Sequence, residues 1–112
     1  MSGLASTPEP PYYAVIFTSL RRDAEHAEYD AAADRMMELA AQHPGFLGVE
    51  HARTPGSAAI TVSYWTDEAA IKAWRDDAEH REAQAAGRER WYKSFAIRIA
   101  KVESARQMEP DT

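Results

Sequence analysis

The chain of 112 residues contains no cysteine. That one absence excludes disulfides, thiolate nucleophiles and cysteine-ligated metals, and it accords with a reducing cytoplasm. No apolar run approaches the roughly 20 residues of a membrane span. The first 11 residues have neither the basic stretch nor the apolar core of a secretory signal. Positive charge is scarce as well: 13 basic residues face 18 acidic ones, for a net charge of −5. The clusters at Arg21-Arg22 and Arg88 to Arg90 are short and flanked by acids. Nucleic acid and anionic membrane are therefore not expected partners. Glycines are few, and Gly45, Gly48, Gly56 and Gly87 form no phosphate-binding spacing. Ser19, Thr61 and Ser63 have no nucleophile-elbow or triad context. What is left is a soluble, cytoplasmic protein whose length holds one core.

Residues 1–11 carry three of the six prolines and read as a disordered leader; residues 104–112 read as a polar tail. Between them, 12–103 form one domain. Tyr12 to Leu20 is dense in aromatic and β-branched residues and predicts a strand covered on both faces. Residues 24–43 predict a helix with Asp23 as N-cap, stopped by Pro44-Gly45; Tyr29, Ala33, Met36, Met37 and Ala40 mark its inner face. Strands follow at Phe46 to Arg53 and Ala58 to Trp65, joined as a hairpin through the turn residues 54–57. A second helix spans 67–76, with Thr66 as N-cap and Ala70, Ile71 and Trp74 on one face. It continues after a bend over 78–91, where His80, Gln84, Gly87 and Trp91 share a stripe, and Ser94 to Glu103 is the last strand.

The order β-α-β-β-α-β predicts an α+β, ferredoxin-like fold: a four-stranded antiparallel sheet with the helices on one face. The strands are apolar on both faces, with Val15, Phe17, Ile60, Val62 and Tyr64 on one and Ala14, Ile16 and Trp65 on the other. A bare apolar sheet face calls for a partner, and the expected partner is a second copy packed sheet to sheet.

Phe17-Thr18-Ser19-Leu20, Tyr29 with Met36-Met37-Glu38-Leu39, and Pro44-Gly45-Phe46-Leu47-Gly48 carry a family resemblance. Ile60 to Trp65, Ala70 to Trp74, Glu79-His80 with Ala83-Gln84, and Trp91-Tyr92 extend it to nearly the whole of 12–103. Together they resemble the antibiotic biosynthesis monooxygenase domain family of dimeric α+β barrels. The resemblance implies one of two activities: cofactor-independent oxygenation of polycyclic aromatic molecules by O2, or oxidative degradation of haem held by a histidine of the second helix. Trp74 matches the tryptophan of the haem-degrading pattern, but Gln84 stands where its ligand histidine belongs, and Thr18 falls where that pattern has asparagine. No cofactor is therefore expected, and haem is disfavoured.

Three readings stay open. In the first, a small oxygenase acts on a planar, quinol-like aromatic substrate, with His80 as base, Trp65 and Trp74 as pocket walls, and Thr18, Tyr64 and Gln84 as binding residues. In the second the substrate is haem. In the third the protein is a dimeric module that binds a small aromatic ligand or another protein without turnover. Each residue also has a plainer reading: His80 as a helix-packing histidine, the tryptophans as core or interface anchors. Arg98 and Glu50 interrupt apolar strands and read as an interface ion pair or as pocket groups. His51 and His80 without a carboxylate make a poor metal site, and His26 and His43 read as exposed helix-end residues.

Overall fold

A computed structural model describes residues 4–22, 26–53 and 58–108. The expected N-cap Asp23 and the turn 54–57 lie outside the described residues. The elements are β1 (Tyr12–Arg21), α1 (His26–Gln42), β2 (Phe46–Arg53), β3 (Ala59–Trp65), α2 (Glu68–Asp76), α3 (Ala78–Ala86) and β4 (Tyr92–Val102). A single wide turn of π-helix, Gly87–Trp91, joins α3 to β4. The sheet order is β2-β3-β1-β4, every pairing antiparallel, which is the ferredoxin-like arrangement.

Register decides what each face carries, because residues directly opposite in an antiparallel pair share a face. Tyr13 lies opposite Trp65, Val15 opposite Ser63 and Ile99, and Phe17 opposite Thr61 and Ile97. This is the helix-covered side: Tyr13, Val15 and Phe46 pack with Met36, Leu39 and Ala70 around the buried cluster Ala40, Trp65, Ile71 and Trp74. Ile60, Val62 and Tyr64 instead face Thr18, Ile16 and Ala14 on the open side. The expected grouping of Val15 and Phe17 with Ile60, Val62 and Tyr64 is thus corrected, since alternation within one strand does not set its phase relative to the next.

Two further corrections follow from local geometry. In α1 the core-facing residues are Met36, Leu39 and Ala40, while Met37 is exposed; at 100° per residue it lies a quarter turn off the buried stripe. At the start of α2 the cap is Asp67, not Thr66. Asp67 has extended backbone, and its Oδ1 accepts the Ala70 N–H at 2.8 Å.

A β-bulge turns the start of β2. Phe46 pairs with Trp65 and Gly48 with Tyr64, so Leu47 is the extra residue. The bulge swings Phe46 onto the helix side, where its ring meets Trp65 edge to face at 5.4 Å. Gly45 leads into this bulge with φ of +89°; a Cβ there would lie 2.6 Å from Ala70 Cβ and 2.7 Å from Thr66 Oγ1. Gly45→Ala is expected to destabilise the fold by roughly 1–3 kcal/mol. A urea unfolding curve measures it, and an unchanged midpoint would refute the close approach.

Residues 4–10, read from composition as a disordered leader, have defined contacts on the open face. The Ala5 N–H donates to Glu50 Oε2 at 3.0 Å, and the Thr7 and Tyr12 hydroxyls lie 2.9 Å apart. Gly48 makes room: a Cβ on it would stand 2.9 Å from that of Ala5. Together with Ala105, Arg106 and Gln107 the leader lines a cleft of about 420 Å³ over Tyr12, Glu50 and Tyr64.

Candidate active site

α2 ends because Asp77 leaves helical geometry. Its N–H reaches back to the Trp74 carbonyl at 3.2 Å, and its carboxylate caps the next helix by accepting the Glu79 and His80 N–H groups. An unbroken helix would satisfy the Trp74 carbonyl from residue 78. Here the His80 ring comes within 2.9 Å of that oxygen through Nδ1. A carbonyl only accepts, so Nδ1 carries the proton and donates. Gln84 Nε2, 3.4 Å from the same Nδ1, is then not a second donor to it but a neighbour one helical turn on.

This bond selects the tautomer. In neutral His80 the lone pair is on Nε2, which has no hydrogen-bond partner among the described residues. The ring lies parallel to Trp74, with centroids 3.9 Å apart and planes 14° from parallel. Trp74 in turn stacks on Trp65 at 6.3 Å, and His43 meets Trp74 edge to face at 5.3 Å. Burial in this stack lowers the His80 pKa from its usual 6.5; the Trp74 carbonyl and Asp77 pull upward, and His43 adds to the lowering. The net result is an imidazole held neutral, with its basic nitrogen unused.

His43, expected to be exposed, is largely enclosed: its Nε2 is 3.0 Å from Asp77 Oδ2, and the side chains are 19% and 22% exposed. Donation from His43 is the main cause of the lowered Asp77 pKa, with the His80 N–H next. Asp77 therefore joins the end of α1 to the start of α3, and it orients His80 without touching its free nitrogen. The sequence carried a signal for it, since an aspartate three residues before His80 has N-cap spacing. Arg35 reinforces the same joint with two bonds to the Glu79 carboxylate, at 2.7 and 3.2 Å.

The structure brings Trp65, Trp74, His80 and Gln84 together and leaves Thr18 and Tyr64 on the other side of the sheet. Thr18 lies on the open face between Ile60 and Ala96. Tyr64 donates to Glu50 Oε1 at 2.6 Å, and burial, seconded by that carboxylate, pushes its phenol up to about 12. Tyr64 thus stays a protonated phenol. Glu50, read as half of an interface pair or a pocket group, lines the cleft under the leader and anchors both Tyr64 and the Ala5 N–H there. His51 bonds Thr61 at 2.8 Å rather than meeting His80. Trp91 is buried against Tyr29, edge to face at 5.6 Å. Among the described residues no group of three or more His, Asp or Glu could hold a metal.

A second cleft, of about 270 Å³, opens between α2 and β4, lined by Glu68, Ala69, Ile71, Lys72, Arg75 and Ile99. Neither His80 nor Gln84 lines it or the cleft under the leader. At position 84, where the resemblance would put a haem ligand, the side chain is an amide and not an imidazole.

A ferredoxin-like α+β domain with a neutral imidazole in an aromatic stack is the class that fold and site define. Residues 11–86 match the family model of the antibiotic biosynthesis monooxygenases, and the chain belongs to that family. Over 112 residues it is 48% identical to an uncharacterised protein, YqjZ, of Bacillus subtilis (strain 168), covering all of this chain and 97% of that one. Among solved structures it resembles protein SO0527 of Shewanella oneidensis, with TM-score 0.74 and 12% identity over 85% of this chain and 94% of that one. It also resembles SnoaB of Streptomyces nogalater, a cofactor-independent oxygenase, with TM-score 0.70 and 17% identity over 91% of this chain and 100% of that one. At such identities the shared property is the fold. Among the described residues no helix is long and apolar enough to cross a membrane.

Proposed function

We propose that this protein is a small cytoplasmic oxygenase that uses O2 without a cofactor on a planar, phenolic aromatic substrate. The observation that carries the proposal is His80: neutral, tautomer fixed by the Trp74 carbonyl, and Nε2 free. Nε2 takes the phenol proton, and the electron-rich phenolate passes one electron to O2. The radical pair closes a C–O bond. The resulting peroxide loses its outer oxygen as water, using the proton returned by His80 and the one on the ring carbon. Phenol plus O2 thus becomes quinone plus water, in balance and with no external reductant. Gln84, one turn along the helix, is placed to bond the substrate oxygen. Trp74 holds the imidazole by stacking, which also limits water around it.

Membership of the family and likeness to a cofactor-independent oxygenase support this reading. It includes a second copy of the chain against the open sheet face, where Leu20 and Ile60 are 43% and 44% exposed. The test is oxygen uptake by chelator-treated protein with a panel of polycyclic phenols. Uptake above autoxidation, with ¹⁸O from ¹⁸O2 in the new quinone carbonyl and the original phenol oxygen retained in the other, is the expected result. Tight binding of a phenol with no uptake would replace the oxygenase by a ligand-binding module.

A further inference from the structure

The helices leave one strand of their own face uncovered. Phe95, Ile97 and Ile99 of β4 share the helix side with Phe17 and Val15, yet they are 41%, 54% and 51% exposed. They form an apolar track one side chain wide along the sheet edge. Four steps from Phe95 to Ile99 at about 3.3 Å each make it roughly 13 Å long. One end is aromatic: Phe95 lies 5.7 Å from Phe17 and 5.9 Å from Tyr92. At the other end Ile99 enters the cleft with Ile71, Lys72 and Arg75 of α2.

That end is basic in a chain of net charge −5. Lys72 and Arg75 line the cleft, and Lys101, opposite Tyr13, follows Ile99 on the same face. Against these three stand Glu68, in the lining, and Asp76, which meets Lys72 Nζ at 2.9 Å and Arg75 Nε at 3.8 Å. The Lys72 and Arg75 side chains remain 68% and 59% exposed, so these surface pairs hold them only weakly.

We propose that this track and its basic end form a binding site for a long-chain carboxylate, separate from His80. The alkyl chain lies along Phe95, Ile97 and Ile99, and the headgroup meets Lys72, Arg75 and Lys101. A second copy of the chain suits the place less well. A stable interface needs about 800 Å² from each partner, whereas this strip is narrow, lies at a sheet edge and is bordered by the charged turns of α2. The site stands whether or not the protein is an oxygenase.

Calorimetric titration with decanoate and with decan-1-ol tests it on the full chain. Decanoate is expected to bind about tenfold more tightly than the alcohol, the worth of a charge-assisted contact. Ile97→Glu is expected to weaken decanoate by at least about tenfold, and Lys101→Glu by severalfold. Both positions are exposed, and circular dichroism checks that the fold is retained. No binding, equal affinity for acid and alcohol, or an unaffected Ile97→Glu variant would overturn the proposal. So would a change of oligomeric state in Ile97→Glu, which would assign the track to a second copy.

Discussion

His80→Asn is expected to lower kcat by roughly 10²–10⁴-fold, the usual worth of a positioned general base, while costing no stability beyond the lost ring stack on Trp74. The choice of asparagine follows from the geometry. Its amide nitrogen takes the place of the ring Nδ1 and keeps a donor on the Trp74 carbonyl, 2.9 Å away in the native protein. It has nothing to replace Nε2. His80→Ala removes both functions, so it loses the same activity and adds about 1–2 kcal/mol of destabilisation from the lost stack and from a carbonyl left with the Asp77 N–H alone. If the imidazole were only a packing group, His80→Asn would keep its turnover.

The same residue sets a pH signature. The base works when neutral, so kcat/KM falls as pH drops through the His80 pKa. Burial holds that pKa below 6.5, which puts the acid limb of the profile below 6.5. In His80→Asn the limb should vanish from whatever activity remains. A limb that survives the substitution would move the base elsewhere. Tyr64, pushed up to about 12, and Tyr92, raised by burial and by its bond to Tyr29, stay protonated in that range and do not compete for the role.

The fold was legible because its signals were local. Dense β-branched runs, the alanine-rich helix and the switch of period after Trp65 each specify an element from within a few residues. The open-face residues were misgrouped because strand phase is a pairing property: Val62 opposite Ile16 leaves no trace in either strand alone. The bulge at Leu47 is of the same kind. Nothing in the run from Phe46 to Arg53 announces that Phe46 turns inward, and the residue that demands it is Trp65, across the sheet. Of the site, the Trp65, Trp74, His80 and Gln84 group was readable because strand end and helix follow each other in sequence. In the sequence Asp77 is one acid among many, and His43 reads as a solvated helix end. Their meeting across 34 residues is tertiary. Thr18 and Tyr64 enter through the resemblance and the oxygenase reading, neither of which says on which side of a sheet a residue lies.

Trp65→Ala is expected to cost about 3–5 kcal/mol, the range for emptying a large buried aromatic site. That is a large part of the 5–15 kcal/mol available to an ordinary domain. Trp65 is 0% exposed. Its indole N–H donates to Ser63 Oγ at 2.9 Å, Phe46 meets it edge on, and Trp74 stacks on its face. β3 is an inner strand held on both sides, so its backbone does not shift to fill the space. Trp65→Phe keeps most of the contact and gives up the hydrogen bond, so roughly 1–2 kcal/mol is expected. Urea unfolding with an unchanged m-value measures both. The pair also ties stability to chemistry. Trp65 supports Trp74, and Trp74 supports the His80 ring, so Trp65→Ala should lose turnover under conditions where it is still folded, while Trp65→Phe retains it. Equal turnover in the two folded variants would show that His80 is held by Asp77 and the Trp74 carbonyl alone, with the tryptophan stack serving only the core.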